Sequence, residues 1–282
     1  LKVFISGITG SLGTEVTRQL LEQGVHQITG YSRCDHKQKA FPYKKDVALY
    51  LGDIRDRDRL LEATRGADII FHFAAFKHVD SAEIQPEECI ATNVAGTNNV
   101  LFCQRMNKIK RVVFTSTDKA CDPINVYGCT KLIGERLVMR NPNNLVARYG
   151  NVIASNGSVI PSFVKTLKKE RKVYITDTNM NRFFIRLEDA AAFVIENGLN
   201  SKGGKYIPEM RACSIEQLAD AVAKVMRIKT YGMVNMGIRP GEKMFEQLVS
   251  PHEGTEIRSD KATQFTKKEL IELIRPSVEA LL

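Results

Sequence analysis

The 282-residue chain contains no tryptophan, and aromatic residues make up only 7% of it. That is poor material for stacking nucleic-acid bases. Its 41 lysines and arginines outnumber 32 acids, giving a net charge of +9, but they are spread along the chain and form no basic arm or helix. Nucleic-acid binding is therefore disfavoured, and a positive field that draws in small polyanionic ligands fits the charge equally well. No apolar run approaches the ~20 residues of a membrane span, and no signal-peptide pattern is seen. The six cysteines, at 34, 89, 103, 121, 129 and 213, include no Cys-x-x-Cys pair and no nearby histidine cluster, so no zinc site is expected. They read as small buried thiols of a protein in the reducing cytoplasm. The chain opens at Leu1, not Met, and enters a strand pattern at once, which fits some N-terminal residues being missing.

What is present is alternation. "KVFISG", "HQITGYS", "VALYLGD", "ADIIFHFAA", "RVVFTST" and "NLVARYGN" are strand candidates. Helical patterns separate most of them, over about 12–23, 56–63, 86–106 and 127–140. Alternation of this kind predicts an α/β fold, a doubly wound parallel sheet with helices on both faces. After Asn151 the rhythm breaks. The expected organisation is a dinucleotide-binding Rossmann domain over 1–152, with 183–210 returning to its sheet. Residues 153–182 and 211–282 would form a smaller C-terminal substrate lobe.

"SGITGSLG" puts Gly7, Gly10 and Gly13 between the first strand and the first helix. Glycines there let a pyrophosphate approach the backbone, with the helix N-terminus facing the anion. An NAD site usually has an acid at the end of the second strand, ~20 residues on, for the ribose 2′-hydroxyl. Here Ser32 and Arg33 stand at that point. A hydroxyl and a guanidinium suit a 2′-phosphate, so NADP is expected. Asp35 is the alternative acid if the strand ends later. In "GDIRD", Asp53 and Ile54 can bracket an adenine, and a helix cap is the competing role for Asp53.

Tyr127 and Lys131 lie four residues apart and so share a helix face. A tyrosine is a poor base at neutral pH, and an ammonium one turn away would favour its phenolate. Such a pair can take a proton from an alcohol while hydride leaves the same carbon. Ten residues earlier, Thr117 precedes a second acid–base pair, Asp118 and Lys119. An exposed loop pair is the plainer reading of those two.

With "GDI", "FAAFKHVD" and "TNVAGTNNV", these motifs make the chain resemble the extended short-chain dehydrogenase/reductases. "STDKACDPINVYGCTKLIGE", "ARYGNVIASNGSVIPSF", "MNRFFIRLEDAAAFV" and "GIRPGEKMFEQLV" extend the likeness over nearly the whole chain. Within that family they are similar to the UDP-N-acetylglucosamine 4,6-dehydratases. Where the membrane-anchored branch typically has methionine, this chain has Tyr127, as in the soluble, C5-inverting branch. The resemblance implies catalytic roles for Thr117, Asp118, Lys119, Tyr127 and Lys131. It implies cofactor contacts from Gly7, Thr9, Gly10, Ser11, Leu12, Gly13, Ser32, Arg33, Lys37, Asp53, Ile54, Phe73, Ala74, Ala75, Lys77, Thr92, Asn93, Tyr127, Lys131 and Val152. Phe73 departs from the alanine usual at its position. For the sugar nucleotide it implies Lys77, Asn151, Asn156, Val159, Arg239 and Glu242, although Lys77 also reads as a surface lysine and Pro240-Gly241 as a simple turn. Lys119, if neutral, would take the C5 proton and Asp118, if protonated, would release O6 as water. A UDP-sugar substrate and a homo-oligomer are also implied. The rival readings are a UDP-sugar 4-epimerase or reductase, which needs no Asp118–Lys119 pair, and a non-catalytic NADP sensor, which needs no Tyr127–Lys131 pair.

Overall fold

The computed structural model describes residues 1–153 and 159–282. Six strands of its central sheet follow in chain order: β1 (Lys2–Ser6), β2 (Gln27–Ser32), β3 (Ala48–Leu51), β4 (Ile69–His72), β5 (Arg111–Thr117) and β6 (Leu145–Tyr149). The segment Gly204–Tyr206 adds a seventh beside β6. Across the sheet the order is Gly204–Tyr206, β6, β5, β4, β1, β2, β3, and every pairing is parallel. Every residue of β4 and of β6 is buried, as strands covered on both faces must be.

Two apolar cores flank the sheet. On one face Val16 and Leu20 of helix Ser11–Glu22 meet Ala190, Ala191 and Val194 of helix Leu187–Asn200. On the other, Leu60, Val100, Leu101 and Val138 come from helices Arg57–Ala63, Gly96–Met106 and Val126–Val138. A third core belongs to the smaller lobe, where Phe163, Leu167, Leu218, Val222 and Ile274 of three helices pack together. Strand Asn181–Ile185 lies in a separate three-stranded sheet between Arg211–Ser214 and Asn151–Val152. Of the segment 183–210, it is Leu187–Tyr206 that returns to the central sheet.

Two local features differ from the sequence expectation. The helix expected within 86–106 runs as Pro86–Ile90 and Gly96–Met106 with a π-helical turn, Ala91–Ala95, between them. Such turns occur often at functional sites, and this one carries Thr92 and Asn93. Short helices Asp35–Lys39 and Val79–Ile84 also appear; at five and six residues they are too short to show a helical period.

One buried cation joins the two parts of the chain. Arg148 of β6 is 0% exposed. Its Nε and Nη2 donate to both Glu135 oxygens at 2.8 and 2.6 Å, and its Nη1 donates to Glu253 Oε2 at 2.6 Å and to the Leu248 carbonyl at 2.9 Å. Lys205 adds a further bond to Glu253. Although burial raises the Glu253 carboxyl, Arg148 and Lys205 outweigh it and bring it down to about 2. Glu253 therefore contributes stability that is present above the ordinary glutamate range and is lost as pH falls through that range towards about 2. Arg148→Met should leave Glu135 buried and uncompensated, costing about 3–5 kcal/mol. Denaturant unfolding with the two proteins side by side checks this; an unchanged midpoint would mean that the network carries no net stability.

Candidate active site

The chain order of the sheet reverses between β1 and β4, and a crevice opens where their following loops diverge. A cleft of ≈ 680 Å³ occupies it. At its floor, Gly7 adopts φ +73° and lies so close to β4's exit that a Cβ would stand 2.8 Å from the Ala74 nitrogen. A Cβ on Gly13 would meet the Gly7 carbonyl at 2.5 Å. The loop therefore folds tightly under helix Ser11–Glu22, whose N-cap Gly10 offers no side-chain cap. That leaves the helix end open to an anion.

The rim beyond β2 is basic. Ser32, Arg33 and Lys37 line the cleft, whereas Asp35 is drawn into an ion pair with Lys39 at 2.6 Å and is not part of the lining. Asp53 is held by Arg55, whose guanidinium donates to both carboxylate oxygens at 3.0 and 2.8 Å, and this bond keeps its carboxyl below the ordinary range. Its helix-cap role is absent, because Asp56 caps Arg57–Ala63. Farther in, the Thr92 and Ser116 hydroxyls are buried at the lining without a partner. Glycines that admit a close backbone approach, an open helix end, a basic rim and unpartnered hydroxyls together fit a dinucleotide phosphate.

The catalytic candidates gather at the end of β5. Thr117, Lys119, Tyr127 and Lys131 line the cleft, with Asp118 fully buried behind them. Asn125 caps the helix that carries Tyr127, accepting from the Gly128 N–H at 2.7 Å. Gly128 lets that helix press onto the 118–120 turn, since a Cβ there would lie 2.2 Å from the Lys119 carbonyl. Asp118 Oδ1 accepts from Thr117 Oγ1 at 2.9 Å and from Lys119 Nζ at 3.1 Å. Lys119 Nζ also lies 3.2 Å from Glu246 Oε1.

These contacts correct two expectations. Burial disfavours the Lys119 ammonium, but the Asp118 and Glu246 carboxylates outweigh it and hold the amine charged, not neutral. Burial pushes the Tyr127 phenol up to about 12, and the influences that oppose it come from Lys119 and Thr117. Lys131 is instead brought down to about 7 by burial and stands 3.9 Å from the Phe114 ring centre. In Asp118, burial raises the carboxyl more than Lys119 lowers it.

Every residue expected to contact the cofactor lines the cleft except Asn93. Asn93 lies behind the wall, where its amide bonds the Phe76 backbone and Thr130. Asn151 and Lys77 also line the cleft, while Val159, Arg239 and Glu242 are not part of its lining. Asn156 lies outside the described residues. Sequence reasoning missed Ser116, Tyr149 and Glu246. For Glu246 a signal existed: it alternates with Leu248 on the buried face of the Gln247–Val249 region, an acid at an inward position.

A family model described as "Polysaccharide biosynthesis protein" matches residues 3–268. The chain belongs to this family. Among curated proteins, a UDP-N-acetylglucosamine 4,6-dehydratase (inverting) of Campylobacter jejuni is 40% identical over 263 residues, 88% of this chain and 77% of that protein. A UDP-glucose 4-epimerase of Rickettsia conorii is 37% identical over 269 residues, 89% of this chain and 78% of that protein. Among solved structures, Pen from Bacillus thuringiensis has a TM-score of 0.91 at 32% identity, covering 100% of this chain and 98% of its own. The chain thus has the doubly wound fold expected of it.

The glycine loop of this family member yields a direct test. Gly13→Ala should weaken binding of the nicotinamide dinucleotide, tested as NAD+ and as NADP+, at least about tenfold, or ~1.4 kcal/mol, in calorimetric titration, with the circular dichroism of the parent retained. Unchanged affinity would place the phosphates elsewhere.

Proposed function

We propose that this enzyme carries out NADP-dependent 4,6-dehydration of UDP-N-acetylglucosamine with inversion at C5. The product is a UDP-2-acetamido-2,6-dideoxy-hex-4-ulose for glycan biosynthesis. The observation that carries this reading is the buried Asp118–Lys119 pair beside Tyr127. A 4-epimerase needs a base at O4 but has no elimination to perform, and so no use for that second pair. The Campylobacter relative's name supports the same choice.

When bound, the nicotinamide would accept hydride from C4 and return it to C6. Tyr127, as its phenolate, would take the O4 proton, and Lys131 would hold the ribose beside it. The C4 ketone makes the C5 hydrogen acidic. Lys119 rests charged between its carboxylates; a substrate that closes over the pair adds to the burial that favours the neutral forms, and the Lys119 proton then crosses 3.1 Å to Asp118 Oδ1. One transfer thus produces the base and the acid together. Lys119 takes the C5 proton, the C5–C6 double bond forms, and O6 departs with a proton passed from Asp118 through Thr117 Oγ1, 2.9 Å away. The pair then regains its starting charges. A proton from water, delivered to the opposite face of C5, gives inversion, and Tyr127 returns the O4 proton to solvent.

Ser32, Arg33 and Lys37 supply the 2′-phosphate contacts, and Asn151 with Lys77 faces the sugar nucleotide. The family resemblance assigns Val159, Asn156, Arg239 and Glu242 to the nucleotide sugar. The enzyme works in the cytoplasm, without nucleic acid or membrane, as a dimer or higher homo-oligomer. Exposed Ile90 and Ile133, on helices Pro86–Ile90 and Val126–Val138, support that assembly. Among the described residues no helix is long and apolar enough to cross a membrane.

Incubation with UDP-N-acetylglucosamine in deuterated water, followed by NMR, should show a 6-deoxy-4-keto sugar with deuterium at C5. Lys119→Ala should slow this by about 100- to 10,000-fold and abolish C5 exchange. A product altered only at C4 would favour the epimerase instead. In calorimetry NADP+ should bind more tightly than NAD+, and Arg33→Ala should erase most of the difference; equal binding by the parent protein would refute the cofactor choice.

A further inference from the structure

The segment Gly241–Glu246 of the C-terminal lobe reaches into the catalytic stretch at three points. Asn125, the cap of the Tyr127 helix, donates to the Gly241 carbonyl at 2.7 Å. Lys243 Nζ donates to the Cys121 and Asp122 carbonyls at 2.8 and 2.6 Å, just after the Asp118–Lys119 turn. Glu246 Oε1 takes the third point, the Lys119 ammonium at 3.2 Å. Glu246 is 2% exposed and does not line the cleft. It meets Lys119 from behind, while Lys119 itself forms part of the cleft wall.

The Glu246 backbone is fixed by Ser259, and its carboxylate faces a second cation. The Glu246 N–H donates to Ser259 Oγ at 3.1 Å, and its carbonyl accepts from the Ser259 N–H at 2.9 Å. Arg182 Nε stands 3.8 Å from Oε1, and the Arg182 Nη atoms donate to the carbonyls of Asn181, Lys243 and Met244. The charges facing one another are therefore Asp118 and Lys119 from the turn, Arg182 from strand Asn181–Ile185, and Glu246 with Lys243 from its own segment. Two carboxylates and two of the cations, Lys119 and Arg182, form the buried cluster. Glu246 Oε2 and Asp118 Oδ2 remain buried without a partner, so losing Lys119 would leave Asp118 with the Thr117 hydroxyl and Glu246 with the more distant Arg182.

We propose that Glu246 is a positioning residue for C5 deprotonation: it anchors Lys119 Nζ between two carboxylates and keeps the proton on that amine until a bound substrate shifts the balance towards Asp118. The chemical role rests on the dehydration reading, but the anchoring does not. With Glu246 neutralised, Lys119 would keep Asp118 as its one carboxylate partner and would still face the Arg182 charge. Burial, which opposes the ammonium, would then weigh more heavily.

The test is Glu246→Gln. In protein carrying isotope-labelled lysine, with the Lys119 signal assigned through Lys119→Arg, its titration midpoint should fall by about 1–3 pH units. The acid limb of C5 exchange should move to lower pH in step, with KM unchanged because Glu246 does not reach the cleft. A merely structural role would lower activity without moving that limb. A Lys119 midpoint that stays where the parent has it overturns the proposal. Should Glu246→Gln fail to fold, Glu246→Asp serves: it keeps the charge but withdraws it by one methylene, so a smaller fall in the midpoint is expected together with slower turnover, and parental values for both overturn the proposal. A parent protein that shows the Lys119 titration and its Glu246 dependence, yet never dehydrates UDP-N-acetylglucosamine, would refute the functional reading and leave the anchoring intact.

Discussion

A guanidinium with no access to water holds the two parts of this chain together. Arg148 leaves the central sheet on β6 and binds Glu135 on the Tyr127 helix and Glu253 in the C-terminal lobe. A buried ion pair of this kind adds little stability over apolar packing, but breaking it is costly, because it strands a charge in a poor solvent. The network therefore acts chiefly as a register. It allows one placement of the lobe against β5 and β6, and that placement brings Gly241, Lys243 and Glu246 onto the catalytic stretch.

The cleft is graded in polarity along its length. At the glycine-loop end the groups open to an anion are backbone amides and the exposed Arg33, whose charge water can still screen. At the β5 end the ionisable groups are buried, and each is governed by its neighbours more than by solvent. His72, brought down to about 3 by burial, stays neutral between the Ser6 and Thr97 hydroxyls. Lys131 is pulled down by burial, while Lys119, only partly buried, is held up by two carboxylates. Two lysines on one cleft wall thus have opposite proton affinities.

Much of the architecture was legible because its signals are local. A strand, a glycine turn and a helix in sequence state their own geometry: Gly7 and Gly13 are needed where a Cβ would strike backbone, and the apolar runs of β4 and β6 announce burial on both faces. The spacing of Tyr127 and Lys131 on one helix face is equally local. The π-helical turn at Ala91–Ala95 was not legible, since a single wide turn leaves the apolar pattern of a long helix almost unchanged.

By itself, then, the sequence determined the doubly wound fold, the phosphate-binding loop and the identity of the residues around Tyr127. The tertiary structure alone decided which of them face the cleft and which carry charge. Asp118 and Lys119 are neighbours in the chain, yet one lies behind the wall and the other within it. The proton on Lys119 depends on Glu246, more than a hundred residues away in sequence and 3.2 Å away in space. The reason is physical: backbone preference and apolar period act over a few residues, whereas the ionisation of a buried group is set by every charge within a few ångströms, whatever part of the chain supplies it.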